Sequence, residues 1–179
     1  LAPRPLSPYG ASKLAVEGML SAYAGSFGMN TAALRFSNVY GPLSARKGSV
    51  ISAFCKQALT TGQLTINGDG QQTRDYIYVD DICTAIEEVI WQDAQGVFQL
   101  GTGIGSSILD VADEFRRIDP ALRLTHAPAL PGEVRHNRAD ITRAASTFGF
   151  TPRHTLSDGI HQTLDWFESL YKNKRRISG

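Results

Sequence analysis

Residues 7–36 read SPYGASKLAVEGMLSAYAGSFGMNTAALRF. Apolar side chains at Val16, Met19, Leu20, Tyr23 and Phe27 recur at helical spacing, which predicts a helix over about Tyr9 to Phe27. Gly28 marks its end. The apolar run Thr31 to Phe36 then reads as a buried strand. Outward from this stretch the alternation continues. A second helix is expected over Val50 to Thr60, closed by Gly62. Short strands are expected at Leu64–Ile66 and Tyr76–Val79, flanking a polar loop from Asn67 to Thr73. Asp80 or Asp81 then caps a helix that shows Ile82, Ala85, Ile86, Val89 and Ile90 on one face. Val97–Leu100 reads as a strand. Ser107 caps a helix bearing Ile108, Val111, Ala112 and Phe115, and Leu122–Thr125 is a further strand. Asp140 caps a short helix (Ile141, Ala144, Ala145, Phe148) that Gly149 stops. Thr155–Asp158 has capping-box form and opens a last helix carrying Ile160, Leu164, Phe167 and Tyr171.

Strands alternating with helices imply an α/β fold with parallel strands. Only 31–36 and 97–100 read as central strands. Two parallel strands do not make a self-sufficient sheet, so the α/β core is expected to be incomplete.

The 179 residues suit one domain of ordinary size, 42% hydrophobic and 20% charged, as in a soluble globular protein. With 18 basic and 17 acidic residues the net charge is +1, so no global nucleic-acid-binding charge exists. No apolar run approaches the ~20 residues of a membrane span, and no signal peptide is evident. Cys55 and Cys83 lie among apolar residues without metal-type spacing. They are expected to be buried, reduced thiols of a cytoplasmic protein. The basic run Lys172–Arg176 reads as a solvated helix end. The chain starts at Leu1 with three prolines in its first eight residues, and nothing there reads as the start of a fold.

Tyr9 and Lys13 stand at i and i+4, one helical turn apart on one face. A phenol with a pKa near ~10 is a poor base at neutral pH. A nearby ammonium favours its phenolate, so the pair can exchange a proton with a substrate hydroxyl. Further motifs follow in order. They are Leu34-Arg35-Phe36-Ser37-Asn38-Val39-Tyr40-Gly41-Pro42, then Gly68-Asp69-Gly70-Gln71-Gln72-Thr73-Arg74-Asp75-Tyr76-Ile77-Tyr78-Val79-Asp80-Asp81, then Pro131-Gly132-Glu133-Val134-Arg135-His136 with Ala139-Asp140-Ile141.

This series resembles the extended short-chain dehydrogenase/reductases, the NAD-dependent epimerases and dehydratases of nucleotide sugars. Within them it is most similar to UDP-glucose and UDP-N-acetylglucosamine 4-epimerases. The resemblance spans nearly the whole chain and implies roles residue by residue. Tyr9 would be the general base and acid, and Lys13 would hold the nicotinamide ribose. Phe36 and Ser37 would approach the nicotinamide of NAD. Asn38 would bond the diphosphate, and the fork of Arg74 would clamp it. Ser49 and Val50 would open a helix whose backbone meets the nucleotide. Thr65 and Asn67 would edge the uracil, Glu133 would bond the nucleotide ribose, and His136 would line the sugar end. Arg35 and Asp75 are read as residues paired within the fold, and His126, His154 and His161 as structural. No metal site is indicated.

Two departures stand out. Leu130 occupies the position where the family commonly has an arginine, a contact that Arg135 or Arg138 would have to supply. Asn67 replaces an aromatic residue that often flanks the uracil. Gly101-Thr102-Gly103-Ile104-Gly105-Ser106 imitates a dinucleotide fingerprint, but its third glycine falls at Ser106. Within the family it is the ordinary turn after strand 97–100.

The glycine-rich strand–turn–helix that cradles the NAD pyrophosphate would precede Tyr9, where only eight residues stand. The implied architecture is therefore the C-terminal part of a Rossmann-like enzyme, an incomplete parallel sheet plus a small α/β substrate-binding domain. Residues 1–48 would contribute the catalytic helix and strand of the Rossmann domain. Residues 49–179 would be mainly the nucleotide-sugar domain, with strand 97–100 returning to the Rossmann sheet. The implied reaction is 4-epimerisation of a UDP-sugar or other nucleotide-sugar with bound NAD. A 4,6-dehydratase or reductase of the same family, or a non-catalytic nucleotide-sugar-binding module, are the alternatives. The apolar helix face predicts a homodimer or completion by an N-terminal half.

Overall fold

The computed structural model describes residues 3–177, with nothing to be said of the side chains beyond Lys172. Leu1 and the basic side chains Lys174, Arg175 and Arg176 thus lie outside the described residues; Lys172 pairs with Glu168.

The opening unit forms as its sequence dictates. Helix α1 (Pro8–Phe27) has proline in its first turn, and the Ser7 hydroxyl accepts the Gly10 N–H at 3.0 Å. Gly28, at φ 64°, ends it. Strand β1 (Ala32–Phe36) pairs in parallel with β6 (Gly96–Leu100), and no third strand joins them among the described residues. α1 buries no residue. Its half-buried stripe is Leu14, Glu17, Leu20 and Ala24. Two contacts tether it: Arg35 grips Glu17 with Nε–Oε1 2.7 Å and Nη2–Oε2 2.6 Å, and Thr31 Oγ1 donates to the Leu20 carbonyl. Val16, Met19, Tyr23 and Phe27, the rest of the expected apolar stripe, are 47–73% exposed.

Three further strand pairs carry the remainder. β2 (Asn38–Tyr40) runs parallel to β5 (Tyr76–Tyr78), and β3 (Gln63–Asn67) parallel to β8 (Arg123–Ala127). β4 (Thr73–Arg74) is antiparallel to β7 (Ser106–Ser107). The helices are α2 (Val50–Thr60), α3 (Val79–Trp91), α4 (Ile108–Ile118), α5 (Thr142–Phe148) and α6 (Leu156–Ile177).

Two cores result. One joins α2, β3, α4 and α6 through Phe54, Leu64, Phe115, Ile160 and Phe167. The other joins α3, β6 and α5 through Ile82, Ala85, Phe98, Leu100 and Phe148. Each fully buried Phe contributes roughly 2–3 kcal/mol. β5 lies between them. Its alternation sends Ile77 into the second core and Tyr76 and Tyr78 into the first.

Several expectations change. Cys55 is buried, but Cys83 is exposed: α3 turns Ile82, Ala85 and Val89 inward, and the next residue after Ile82 falls on the outer face. Ile90 is 69% exposed for the same reason. Neither Asp80 nor Asp81 caps α3, whose cap residue is Tyr78 without a side-chain bond. Asp81 is instead buried, accepting the Arg153 and His154 amides and pairing with His154 Nδ1 at 3.0 Å. The cap residue of α5 is Ile141; Asp140 stands one residue earlier and accepts the Thr142 N–H. Ser107 forms a full capping box with Asp110, and Thr155 accepts the Asp158 N–H at the head of α6. Among the described residues no helix is long and apolar enough to cross a membrane.

Candidate functional site

The site is organised by one carboxylate. Asp75, fully buried, ends the segment between β4 and β5. Its Oδ1 accepts the Thr102 N–H at 2.7 Å and the Thr102 hydroxyl at 2.8 Å. Its Oδ2 accepts the amides of Gly103 at 3.0 Å and Ala139 at 3.1 Å. The Gly101–Ser106 turn thus aims its amides at a carboxylate of the chain itself. A Cβ on Gly101 would fall 2.5 Å from Asp75 Oδ2, so this approach requires glycine. The Asp75 carbonyl in turn accepts the Asn38 N–H at 2.9 Å and Asn38 Nδ2 at 3.2 Å, fixing the Asn38 amide. Arg35 and Asp75 are both satisfied within the fold, by separate partners.

Beside Asn38 opens a cavity of about 350 Å³. Its wall carries Asn38, Ser49, Val50, Thr65, Asn67, Arg74 and Glu133, which are seven of the eight residues expected to meet a nucleotide-sugar. They come from β2, the head of α2, β3, β4 and the loop after β8. The head of α2 presents Ser49, Val50 and Ile51 to the hollow, and the Ser49 side chain caps nothing. First-turn amides with no side-chain cap favour an anion there. The 131–137 segment is held against β4: the Thr73 N–H donates to the Arg135 carbonyl, and the Asn137 N–H to the Thr73 carbonyl. This places Glu133 Oε1 3.0 Å from Arg74 Nη2. Gln72, 5% exposed, donates from Nε2 to the Asn67 carbonyl at 3.0 Å and to Glu133 Oε2 at 3.4 Å.

His136, the eighth residue, does not line the cavity; its Nδ1 lies 3.1 Å from Thr73 Oγ1. Leu130 does line it, at the position marked as a departure. Arg135 offers nothing in exchange, because both its terminal nitrogens bond Asp69, at 2.9 and 2.7 Å.

Four polar side chains of the wall were not read from the sequence as site residues: Tyr40, Gln57, Gln72 and Tyr76. The Tyr76 hydroxyl is buried with no partner, as is Ser49 Oγ. Burial pushes the Tyr76 phenol well above its ordinary pKa. An unpartnered buried hydroxyl costs free energy unless a ligand or water meets it. A tyrosine on the core side of a strand, where phenylalanine would pack without a polar atom, was the available signal.

A second hollow of about 360 Å³ adjoins the first. Its wall holds Phe36, Ser37, Asn38, Gln99, Asn137 and Arg138, so Asn38 belongs to both. The expected cofactor-facing pair, Phe36 and Ser37, stands here. Tyr9 and Lys13 line neither hollow. They remain one turn apart, with Lys13 Nζ 5.4 Å from the Tyr9 ring centre and Tyr9 72% exposed.

The pattern of the NAD dependent epimerase/dehydratase family matches residues 1–101. A UDP-glucose 4-epimerase of Mycolicibacterium smegmatis is 34% identical over 170 residues, covering 92% of this chain and 54% of that protein. The UDP-glucose 4-epimerase of Thermotoga maritima, solved with UDP-glucose, superposes with a TM-score of 0.86 at 32% identity over 94% of this chain and 56% of its own. The UDP-glucuronic acid 4-epimerase of Bacillus cereus, solved with UDP-glucuronic acid and NAD, gives 0.85 at 34% identity over 96% and 55%. The chain spans about half the length of the relatives it matches. With its motifs and its α/β fold in agreement, the chain belongs to the NAD-dependent epimerase/dehydratase family.

Proposed function

We propose that the 350 Å³ cavity is a nucleotide-sugar site and that the chain is the substrate-binding part of an NAD-dependent nucleotide-sugar 4-epimerase. The observation that carries this is convergence. Asn38, the head of α2, Arg74 and Glu133 are far apart in sequence yet line one hollow. Together they offer an amide, open helix amides and a guanidinium for a diphosphate, and a carboxylate for sugar hydroxyls. In this reading Asn38 and Arg74 hold the diphosphate, and Ser49 and Val50 meet it through the backbone. Thr65 and Asn67 edge the base, Glu133 takes the ribose hydroxyls, and the unpartnered Tyr76 hydroxyl gains an acceptor on the ligand. His136 supports the wall through Thr73. Residues 1–48 with strand 97–100 form the cofactor side, and residues 49–179 mainly the substrate side.

The residues present suit only the nicotinamide end of NAD. Phe36 offers an exposed ring at the end of β1, and Ser37 and Asn38 offer polar groups beside it. The Thr102 and Gly103 amides are filled by the Asp75 carboxylate and offer no cradle for a pyrophosphate. Bound NAD supplies reversible hydride transfer. The chain's own contribution is to orient the sugar through its diphosphate and to move one proton. Tyr9, entering as the phenolate, accepts the proton of the sugar 4-hydroxyl and later returns it from the phenol, with the Lys13 ammonium one helical turn away.

A second reading, nucleotide-sugar binding without turnover by these residues, is favoured by Tyr9 standing exposed outside both hollows. Calorimetric titration of UDP into the full chain tests the site. Binding is expected, with at least about a tenfold loss in Arg74→Ala. Tyr76→Phe is expected to weaken UDP while leaving the melting temperature unchanged or higher. No measurable UDP binding would remove the proposal. Epimerised sugar after incubation with UDP-glucose and NAD would remove the second reading.

A further inference from the structure

The guanidinium that would clamp the diphosphate already has an anion. Arg74 Nη2 lies 3.0 Å from Glu133 Oε1, with the two side chains 17% and 26% exposed, on the wall of the cavity itself. The other carboxylate oxygen is held by Gln72, whose buried amide is anchored to the Asn67 carbonyl. Glu133 is therefore aimed from two sides. The remaining Arg74 terminal nitrogen is committed to its own chain, donating to the Thr73 carbonyl at 2.8 Å. Arg135, the cation nearest along the same loop, is spent on Asp69 outside the cavity wall.

We infer that Glu133 competes with incoming anions for Arg74, and that this competition makes the cavity select ligands that carry both a diphosphate and hydroxyl donors over bare anions. The inference rests on the nucleotide reading of the cavity. A bare anion that takes Arg74 must detach Glu133. It then leaves a carboxylate with only the Gln72 amide for support, in a largely shielded wall beside a second negative charge. A nucleoside diphosphate answers both halves at once. Its phosphate oxygens accept from Arg74, and its ribose hydroxyls donate to the carboxylate that Arg74 released. Selectivity thus arises from a penalty on the wrong ligand as well as from contacts to the right one.

The test titrates inorganic pyrophosphate and UDP, separately, into the full chain and its variants at fixed salt. Glu133→Gln keeps the shape and the Gln72 contact while removing the charge. It is expected to tighten pyrophosphate about tenfold or more and to narrow the UDP-to-pyrophosphate ratio. The gain is expected to vanish in an Arg74→Ala, Glu133→Gln double variant, which separates competition at Arg74 from a general rise in positive charge. Should Glu133→Gln fail to fold by circular dichroism, Glu133→Ser replaces it with the same expectation. Pyrophosphate affinity unchanged within about twofold, or a gain that survives without Arg74, overturns the inference. If UDP fails to bind the unmodified chain while Glu133→Gln tightens pyrophosphate, the nucleotide reading falls and the competition for Arg74 is supported.

Discussion

Replacing Asp75 with asparagine should damage this protein more than any conservative change at its surface. Four donors converge on the carboxylate: the Thr102 amide and hydroxyl on Oδ1, and the Gly103 and Ala139 amides on Oδ2. Asparagine keeps one acceptor oxygen. With that oxygen at the Oδ1 position, its NH₂ group faces the Gly103 and Ala139 amides, donor against donor. Two N–H groups then lose their acceptor, at about 1–3 kcal/mol each, and the two remaining bonds lose their charge assistance. The sum is about 3–5 kcal/mol, a large part of the ~5–15 kcal/mol that holds a typical domain. Gly101 leaves little room to relax, because a Cβ there would fall 2.5 Å from Asp75 Oδ2 and 2.7 Å from Ser37 Oγ. Urea denaturation followed by circular dichroism checks this. With a slope of ~2 kcal/mol/M, the midpoint should fall by roughly 2 M at unchanged slope. A loss below about 1 kcal/mol would show that water replaces the missing acceptor, and would refute the role given to the Asp75 carboxylate as the anchor of the Thr102, Gly103 and Ala139 amides.

Two further outcomes follow from the ionisable groups. The Arg135 guanidinium and the Gln71 amide hold the Asp69 carboxyl at about 2, below its ordinary 3.8. A carboxyl depressed in the folded state adds stability that is present above the ordinary value and lost as pH falls toward 2. Asp69→Asn should therefore flatten the acid side of the stability curve in that window, and an unchanged slope would contradict the pair. Burial pushes the Cys55 thiol up to about 12, whereas Cys83 is exposed on α3. A thiol reagent should modify one cysteine per native chain at once and the second only in urea; equal rates would contradict the buried core around Phe54.

The element order was legible because periodicity and caps are local. Ser107, Gly28 and Gly149 each act within a few residues, and each stands where expected. The strands β2, β4 and β7 were not legible. At two or three residues they are too short to show a period, and they exist because a distant partner supplies their hydrogen bonds. Cys83 and Ile90 were misplaced because apolar character alone does not say which of two adjacent faces a helix buries.

For the site, seven residues named from motifs line one cavity, but the contacts that aim them were not legible. Asn38 and Arg74 were named from motifs. Their orientation depends on the Asp75 carbonyl and on Glu133, which lies 59 residues beyond Arg74. Gln72 and Tyr76 show why. Gln72 reads as one polar residue in a polar loop, yet it is 5% exposed and links the Asn67 carbonyl to the Glu133 carboxylate. Tyr76 reads as a core aromatic, and its ring is one; only the packing around it reveals that its hydroxyl is buried without a partner in a residue that lines the cavity. A sequence shows which groups can bond. Which of them are left unbonded, and so available to a ligand, is decided by every other group that folding brings within reach.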